Sequence, residues 1–484
     1  MQDGDFHFGD DIPIWHFRAA VDALMAGARI AGSPASFRMT KRKFHDKEVA
    51  PMEEFLLGCD DIDHFSMENV WGFDATKKYA TNLIQCISET PSLRSLGFKF
   101  VVSAEAHTVE WWNEISTLVK HHKTLKAVAF AFTRPRPLIA HNVMERSLAQ
   151  RPEILEQLML AISNNRRLTH VTLESCGLTT EDARMVGRIM KKLKLECFCL
   201  PRNSLGRVGA EIVSKQLRTC RSLTVLDLNS NNMGDLGTIA VIMACQDHPT
   251  MQSLNIASND LTAAIIPSLC DYVKGSTRLK DLDICHNYIG REIIKLLHAV
   301  AKSQTIEKLN IGYNAGTESC VGAIKHVLMD PTKNDDDDDA DDQDDIIPSA
   351  PSLTELNLEG NQLSPEAGTI ILHALTHPTN KNTHILHINL DANFLTKHDV
   401  ILIESKLQIN RQGAAFKFRY EPNLLQQKWN WNASLYSKRS IRDKKVLKKR
   451  TDEDNKLKIA KEKKKMKRDR KKNGKEGPPG CLIL

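Results

Sequence analysis

The chain has no apolar run near the roughly 18 residues that a membrane-crossing helix needs, which argues against such a segment. Nothing resembles a secretory leader either. The opening MQDGDFHFGDDIPIWHF carries acids where a leader carries lysines, and no apolar core follows it. Aromatic residues make up only 6% of the 484 positions, so large anchors for a partner are scarce. The 11 cysteines are odd in number and lack regular pairing spacing, which fits reduced thiols. There is no Gly-rich phosphate loop, no nucleophile elbow and no His/Cys cluster with metal-ligand spacing. These absences point to a cytosolic or nuclear protein that is not an enzyme and needs neither cofactor nor metal.

What the chain does have is one recurring phrase. It reads LTHVTLESCGL from Leu168, LECFCLPRNSL from Leu195, LTVLDLNSNNM from Leu223 and MQSLNIASNDL from Met251. It continues as LKDLDICHNYI from Leu279, IEKLNIGYNAG from Ile306, LTELNLEGNQL from Leu353 and ILHINLDANFL from Ile385. The steps between starts are 27, 28, 28, 28, 27, 47 and 32 residues. Alternating apolar positions such as Leu226 and Leu228 mark a short strand with one face inward. The Asn that follows (Asn203, Asn231, Asn259, Asn287, Asn314, Asn361, Asn393) sits at the turn leaving the strand, where its amide can satisfy backbone groups. Cys176 fills that place in the first unit. Stretches such as GTIAVIMACQ have helical spacing. Gly209 and Gly237 are expected where a helix packs close to a strand.

A unit of about 28 residues has room for a strand and a helix, so stacked units give an α/β solenoid. Parallel strands would line its concave face and helices its convex face. The phrase resembles the leucine-rich repeats of the ribonuclease-inhibitor type, closely over residues 165–412. Upstream the likeness is weaker, through LRSLGFKF from Leu93 and LKAVAFAF from Leu125, which lack the Asn. The resemblance implies a horseshoe and leaves the function open.

The expected organisation is an N-terminal region over 1–90, partly helical, then the solenoid over 91–412. A cap over 413–437 follows, where FKFRY at Phe416–Tyr420 alternates like one more strand and Trp429, Trp431 and Tyr436 come next. The single long step holds an insert over 331–350 with nine aspartates between Asp335 and Asp345, which reads as a disordered loop.

The third, fifth, seventh and eighth positions of the phrase are expected to face the concave side. They carry Glu174, Asp227, Asp281, Asp283, Glu355, Glu359 and Asp391, opposed by Arg202 and Lys308. Asn255, Asn310, Asn357 and Asn389 share the fifth position. One reading is a solvated face. The other is a groove whose field attracts a basic protein partner, with Asp227, Asp281, Asp283, Tyr313, Glu355, Glu359 and Asp391 as the binding residues. Cys197 and Cys199 point into the same groove and read as plain thiols, as does the Cys285–His286 pair.

The net charge of +6 hides two unlike parts. From Lys438 to Glu476 there are 20 Lys/Arg against 7 Asp/Glu, while the remainder has 46 against 53. This polybasic tail and linker, 438–480, is expected to be disordered. It ends in Cys481-Leu482-Ile483-Leu484, residues 481–484, which match C-a-a-X with Leu last and favour a geranylgeranyl group on Cys481. One lipid anchors weakly, so a second signal is needed. Lys461, Lys463, Lys464, Lys465, Lys467, Arg468, Arg470, Lys471, Lys472 and Lys475 would supply it against an anionic membrane surface. No aromatic residue interleaves these cations, so no nucleic acid partner is expected. The arrangement looks like the C-termini of Rho- and Rap-type small GTPases, although no GTPase domain is present.

The expectation is a protein-binding scaffold or adaptor at the cytoplasmic face of a membrane, with a prenyltransferase as its processing partner. One alternative is a nuclear protein whose basic tail is a localisation signal. Another is a GTPase-activating protein, since the repeats also resemble the Ran GTPase-activating protein. That family's acidic run follows its repeats, whereas here two clear repeats come after it.

Overall fold

Thirteen strands among the described residues form one parallel sheet whose spatial order follows the chain. They are β1 (Asp5–Phe8), β2 (Ala35–Thr40), β3 (Ile62–Glu68), β4 (Ser95–Lys99), β5 (Ala127–Ala131), β6 (His170–Glu174) and β7 (Cys197–Cys199). Then come β8 (Val225–Asp227), β9 (Ser253–Asn255), β10 (Asp281–Asp283), β11 (Lys308–Asn310), β12 (Glu355–Asn357) and β13 (His387–Asn389). The structure is a computed structural model describing residues 5–8, 35–40, 44, 46–58, 62–68, 70, 78–99, 109–131, 152–329, 352–376 and 384–417. Helices alternate with the strands, so the architecture is the leucine-rich-repeat solenoid.

The fourth phrase position forms a continuous apolar row, because the register pairs Leu226 with Leu254, Leu254 with Leu282, Leu282 with Leu309, Leu309 with Leu356 and Leu356 with Ile388. Leu309 of β11 meets Leu356 of β12 although the step between them is the long one. The insert therefore leaves the ladder intact. It follows the helix Val321–Leu328, and its residues 331–350 lie outside the described residues.

The strands run only three residues from β7 onward, and in all eight clear units the chain turns sharply at the eighth phrase position. All eight residues there adopt the left-handed conformation: Ser175, Arg202, Ser230, Ser258, His286, Tyr313, Gly360 and Ala392. This costs a residue with a Cβ roughly 1 kcal/mol, and the Asn that follows offsets it. Asn259 Oδ1 accepts the Asn231 and Met233 amides of the preceding repeat, while its Nδ2 donates to the carbonyls of Leu228, Ile256 and Ala257. Asn203, Asn361 and Asn393 repeat the pattern. Each such Asn is therefore an inter-repeat bracket as well as a turn residue. Cys176 is a weaker substitute, its thiol donating to the carbonyls of Phe130 and Glu174.

The upstream boundary differs from the expected one. β1, β2 and β3 extend the same sheet into residues 1–90, with a helix at Val49–Gly58 between β2 and β3 and another at Lys78–Glu89 between β3 and β4. The interior there is aromatic: Phe37 stacks on Phe65 at 5.2 Å, and Phe98 meets Trp111 edge-on at 5.5 Å. Large rings replace the leucines, which hid the repeat from a leucine pattern. The downstream boundary also differs. A helix runs from Lys397 to Lys417, across the expected start of the cap at 413, so Phe416 and Lys417 are helical rather than in a strand. The rest of the expected cap, the polybasic tail and Cys481 lie outside the described residues.

Gly237 is explained by a neighbouring helix rather than a strand. A Cβ there would sit 3.0 Å from Ala210 Cβ and 3.1 Å from Arg207 Cα, both on the helix Gly206–Leu217.

Candidate functional site on the concave face

The acids read from the phrase do three different things. Asp227 and Asp283, at the fifth position, make turns. Asp227 Oδ1 accepts the Asn229 amide at 2.9 Å, and Asp283 Oδ1 accepts that of Cys285 at 3.0 Å. Asn255, Asn310, Asn357 and Asn389 do the same for Ala257, Gly312, Glu359 and Asp391. Asp and Asn are thus interchangeable acceptors at this position, and the shared requirement is local hydrogen bonding rather than charge.

Charge is in fact disfavoured at this row and beside it. Burial pushes Asp227 up to about 7, and Asp281 on β10 likewise to about 7, against the opposing pull of Lys308. Burial raises Asp283 as well. At neutral pH the groove is therefore less negative than its sequence suggests.

A testable consequence follows for Asp227. Its folded pKa lies above its unfolded value, so the native state binds more protons between about 4 and about 7, and stability falls as pH rises through that window. Asp227→Asn keeps the acceptor and removes the ionisation. It is expected to raise the urea midpoint at pH 8 by the equivalent of about 1–2 kcal/mol, with the gain fading toward pH 4. A lower midpoint at pH 8 would show that the carboxylate itself is needed.

Glu174, at the seventh position, is a structural anion. Only 3% exposed, it accepts Lys99 Nζ at 2.9 Å on one oxygen and Arg202 at 3.1 Å on the other. Lys99, Ala131 and Glu174 share one row across β4, β5 and β6, and the small Ala131 leaves the lysine room to reach across. Burial pulls the Lys99 ammonium down, but Glu174 and Glu68 outweigh it and the sum is upward.

The third group lies around Tyr313. Its ring stacks on His286 with centroids 4.3 Å apart and planes 9° from parallel. The Tyr313 hydroxyl donates to Glu359 Oε1 at 2.9 Å, and Glu359 Oε2 accepts Asn389 Nδ2 at 3.0 Å. Gly360 has φ +67, and a Cβ there would fall 2.4 Å from the Tyr313 ring, so only glycine allows this seat. Beside it, Glu355 pairs with Lys308 at 2.6 Å, and Asp391 is exposed. Two residues beyond the eighth position, Tyr288 and Phe394 are 72% and 68% exposed.

Of the seven residues expected to bind a partner, the structure gathers Tyr313, Glu355, Glu359 and Asp391 in the last repeats, with Asp281 and Asp283 alongside. It sets Asp227 apart as a buried turn residue. Glu359 is 6% exposed and acts through the tyrosine it holds. The expectation of a uniformly solvated acidic face fails for Glu174, Asp227 and Glu359, because burial requires partners for each. Tyr288 and Phe394 were overlooked, and His286 was set aside with Cys285 as an unremarkable pair. The available signal was positional: His286 and Tyr313 occupy the eighth position of adjacent units, and Tyr288 and Phe394 share the tenth. Among the described residues no group of three or more His, Cys, Asp or Glu is placed to hold a metal ion.

The fold and this surface define a leucine-rich-repeat solenoid with an aromatic, acidic stretch toward its C-terminal end. The family model described as Leucine Rich repeat matches residues 219–241 and 349–369. Among similar proteins, NACHT, LRR and PYD domains-containing protein 14 of Mus musculus is 28% identical over 140 residues, 28% of this chain and 14% of that protein. Protein 5 of the same series is 26% identical over 230 residues in Homo sapiens, 46% and 18% of the two chains, and 24% identical over 316 residues in Mus musculus, 60% and 26%. The chain thus matches no more than about a quarter of the length of these relatives. A crystal structure of a TLR13–ssRNA13 complex aligns over 75% of this chain and 41% of that one, at 13% identity and a TM-score of 0.29.

Proposed function

We propose that this protein is a docking scaffold that binds a basic protein segment on the last repeats of its concave face. The observation that carries the reading is the preorganised Tyr313 ring, fixed by its stack on His286 and its hydrogen bond to Glu359. A ring already held in place loses little entropy on binding, which is what a hot-spot anchor requires. A guanidinium can lie against the exposed His286 side of this stacked pair while nearby carboxylates accept its hydrogens. The exposed Asp391 and the half-buried Glu355, which pairs with Lys308, stand there as the accessible carboxylates.

The second element of the proposal is a tether. Cys481-Leu482-Ile483-Leu484 fits a prenylation signal, and the adjoining basic run suits an anionic membrane surface. Prenylation would hold the scaffold at the cytoplasmic face of that membrane.

Two measurements test these elements separately. Arginine-bearing synthetic peptides should bind the immobilised full-length protein, and Tyr313→Ala should weaken them by about 10–100-fold, as loss of a hot spot does. Association should also slow as salt rises. Peptide binding indifferent to both Tyr313 and salt would remove the docking reading. For the tether, mass spectrometry should find the isoprenoid on Cys481, and Cys481→Ser should move the protein to the soluble fraction. An unmodified cysteine with unchanged membrane association would remove it.

A further inference from the structure

Cys197 and Cys199 are the two ends of β7, and residues two apart on a strand share a face. Their sulfurs are 3.5 Å apart, close enough for one thiol to hydrogen-bond the other. Phe198 between them is fully buried, which fixes the strand and aims both thiols to the concave side. Register sets His170 and Val225 beside Cys197, and Thr172 and Asp227 beside Cys199. Cys199 is 2% exposed, whereas Cys197 is half-buried and gives access from the groove. Neither the turns nor the docking surface uses this pair.

We propose that Cys197 and Cys199 are a chelating dithiol that holds one soft monovalent cation, Cu(I), between their sulfurs. Two converging thiolates complete the coordination such an ion needs, and soft thiolate ligands select it. Zinc fits less well, because it wants four ligands at about 2.3 Å for sulfur, and no group of three or more donors is placed for a metal among the described residues. A linear S–Cu–S unit spreads its sulfurs beyond 3.5 Å, and rotation of the accessible Cys197 side chain provides the opening. Binding replaces two S–H bonds by two Cu–S bonds and releases two protons, with no change of oxidation state. The bound unit carries one negative charge, which the nearby Lys99 ammonium opposes.

The hydrogen bond that the Cys199 thiol shares with Cys197, together with burial, holds that thiol well above its ordinary range. Cys199 is therefore a poor nucleophile toward oxidants, which react with thiolates. An ion that displaces the proton outright is not blocked in this way.

The test uses the full-length reduced protein without oxygen, with Cu(I) supplied from its bicinchoninate complex. The wild type should take one Cu(I) per chain from this competitor, more tightly as pH rises, because protons are released. Cys197→Ser and Cys199→Ser should each weaken binding roughly 100-fold or more, beyond the 10–100-fold cost of losing an outer-shell partner. Cys285→Ser, on the same face, should leave it unchanged. Cys197 is half-buried, so its serine variant should fold, and equal urea midpoints would verify that. Retention of tight binding in both variants would place the ion on other thiols and overturn the proposal. Failure of the wild type to take Cu(I) would do the same.

Discussion

Asn259→Ala is expected to cost the protein about 3–4 kcal/mol, near the upper end of single-residue effects. The side chain is fully buried and serves five backbone groups in two adjoining repeats. Alanine would leave the Asn231 and Met233 amides without an acceptor in a place that water does not reach, and each orphaned group costs about 1–3 kcal/mol. Replacement by aspartate would keep the acceptor but remove the donor and bury a charge, so it should also destabilise at pH 7. Part of that loss should return as the pH falls and a protonated carboxyl regains one donor. Because each repeat touches chiefly its neighbours, the damage should appear locally first, as faster hydrogen exchange at Asn231 and Met233. A loss below about 1 kcal/mol would mean that the turn closes without its bracket.

Lys99→Met is the second large effect expected, a loss of about 3 kcal/mol, because removing one member of a buried ion pair strands its partner. Glu174 would keep Arg202, which limits the damage, but one of its oxygens would lose its charged donor. The double variant Lys99→Met, Glu174→Met should be more stable than Lys99→Met alone, since it leaves no uncompensated carboxylate. The cycle of wild type, two single variants and the double variant, read by urea unfolding, isolates the coupling. Strictly additive losses would show that the two side chains act independently.

The repeats with leucine at the fixed positions were legible because their physics is local. Strand alternation, the turn Asn and the following helix all fall within one unit, so a phrase of 11 residues carries them. The repeats that make β1, β2 and β3 obey the same geometry with Phe37, Phe65 and their neighbours as filling. A pattern written in leucines does not detect rings, although both bury apolar area. The end of the solenoid was misjudged for a related reason. The alternation in FKFRY is a strand signal over five residues, but Phe416 and Lys417 continue a helix that began at Lys397, and the longer cooperative element prevails.

The site was legible only as a set of candidates. Position within the phrase identified which side chains belong to the concave face, and it correctly brought Cys197 and Cys199 to one side of one strand. It did not distinguish an acid that makes a turn from one that projects a field. Glu174 and Asp391 hold the same seventh position of the phrase, yet one is buried in an ion pair and the other exposed.

By itself, the sequence determined the solenoid, its eight clear units and the Asn at seven of their turns. Those follow from short-range periodicity and from local motifs. The tertiary structure alone decided that Lys99 meets Glu174 from 75 positions away, that His286 stacks on Tyr313, and that Gly360 makes room for that ring. Each of these depends on which side chain the stacking of repeats sets beside another, and on how far burial strips water from it. No single repeat contains that information, because it arises at the contact between units.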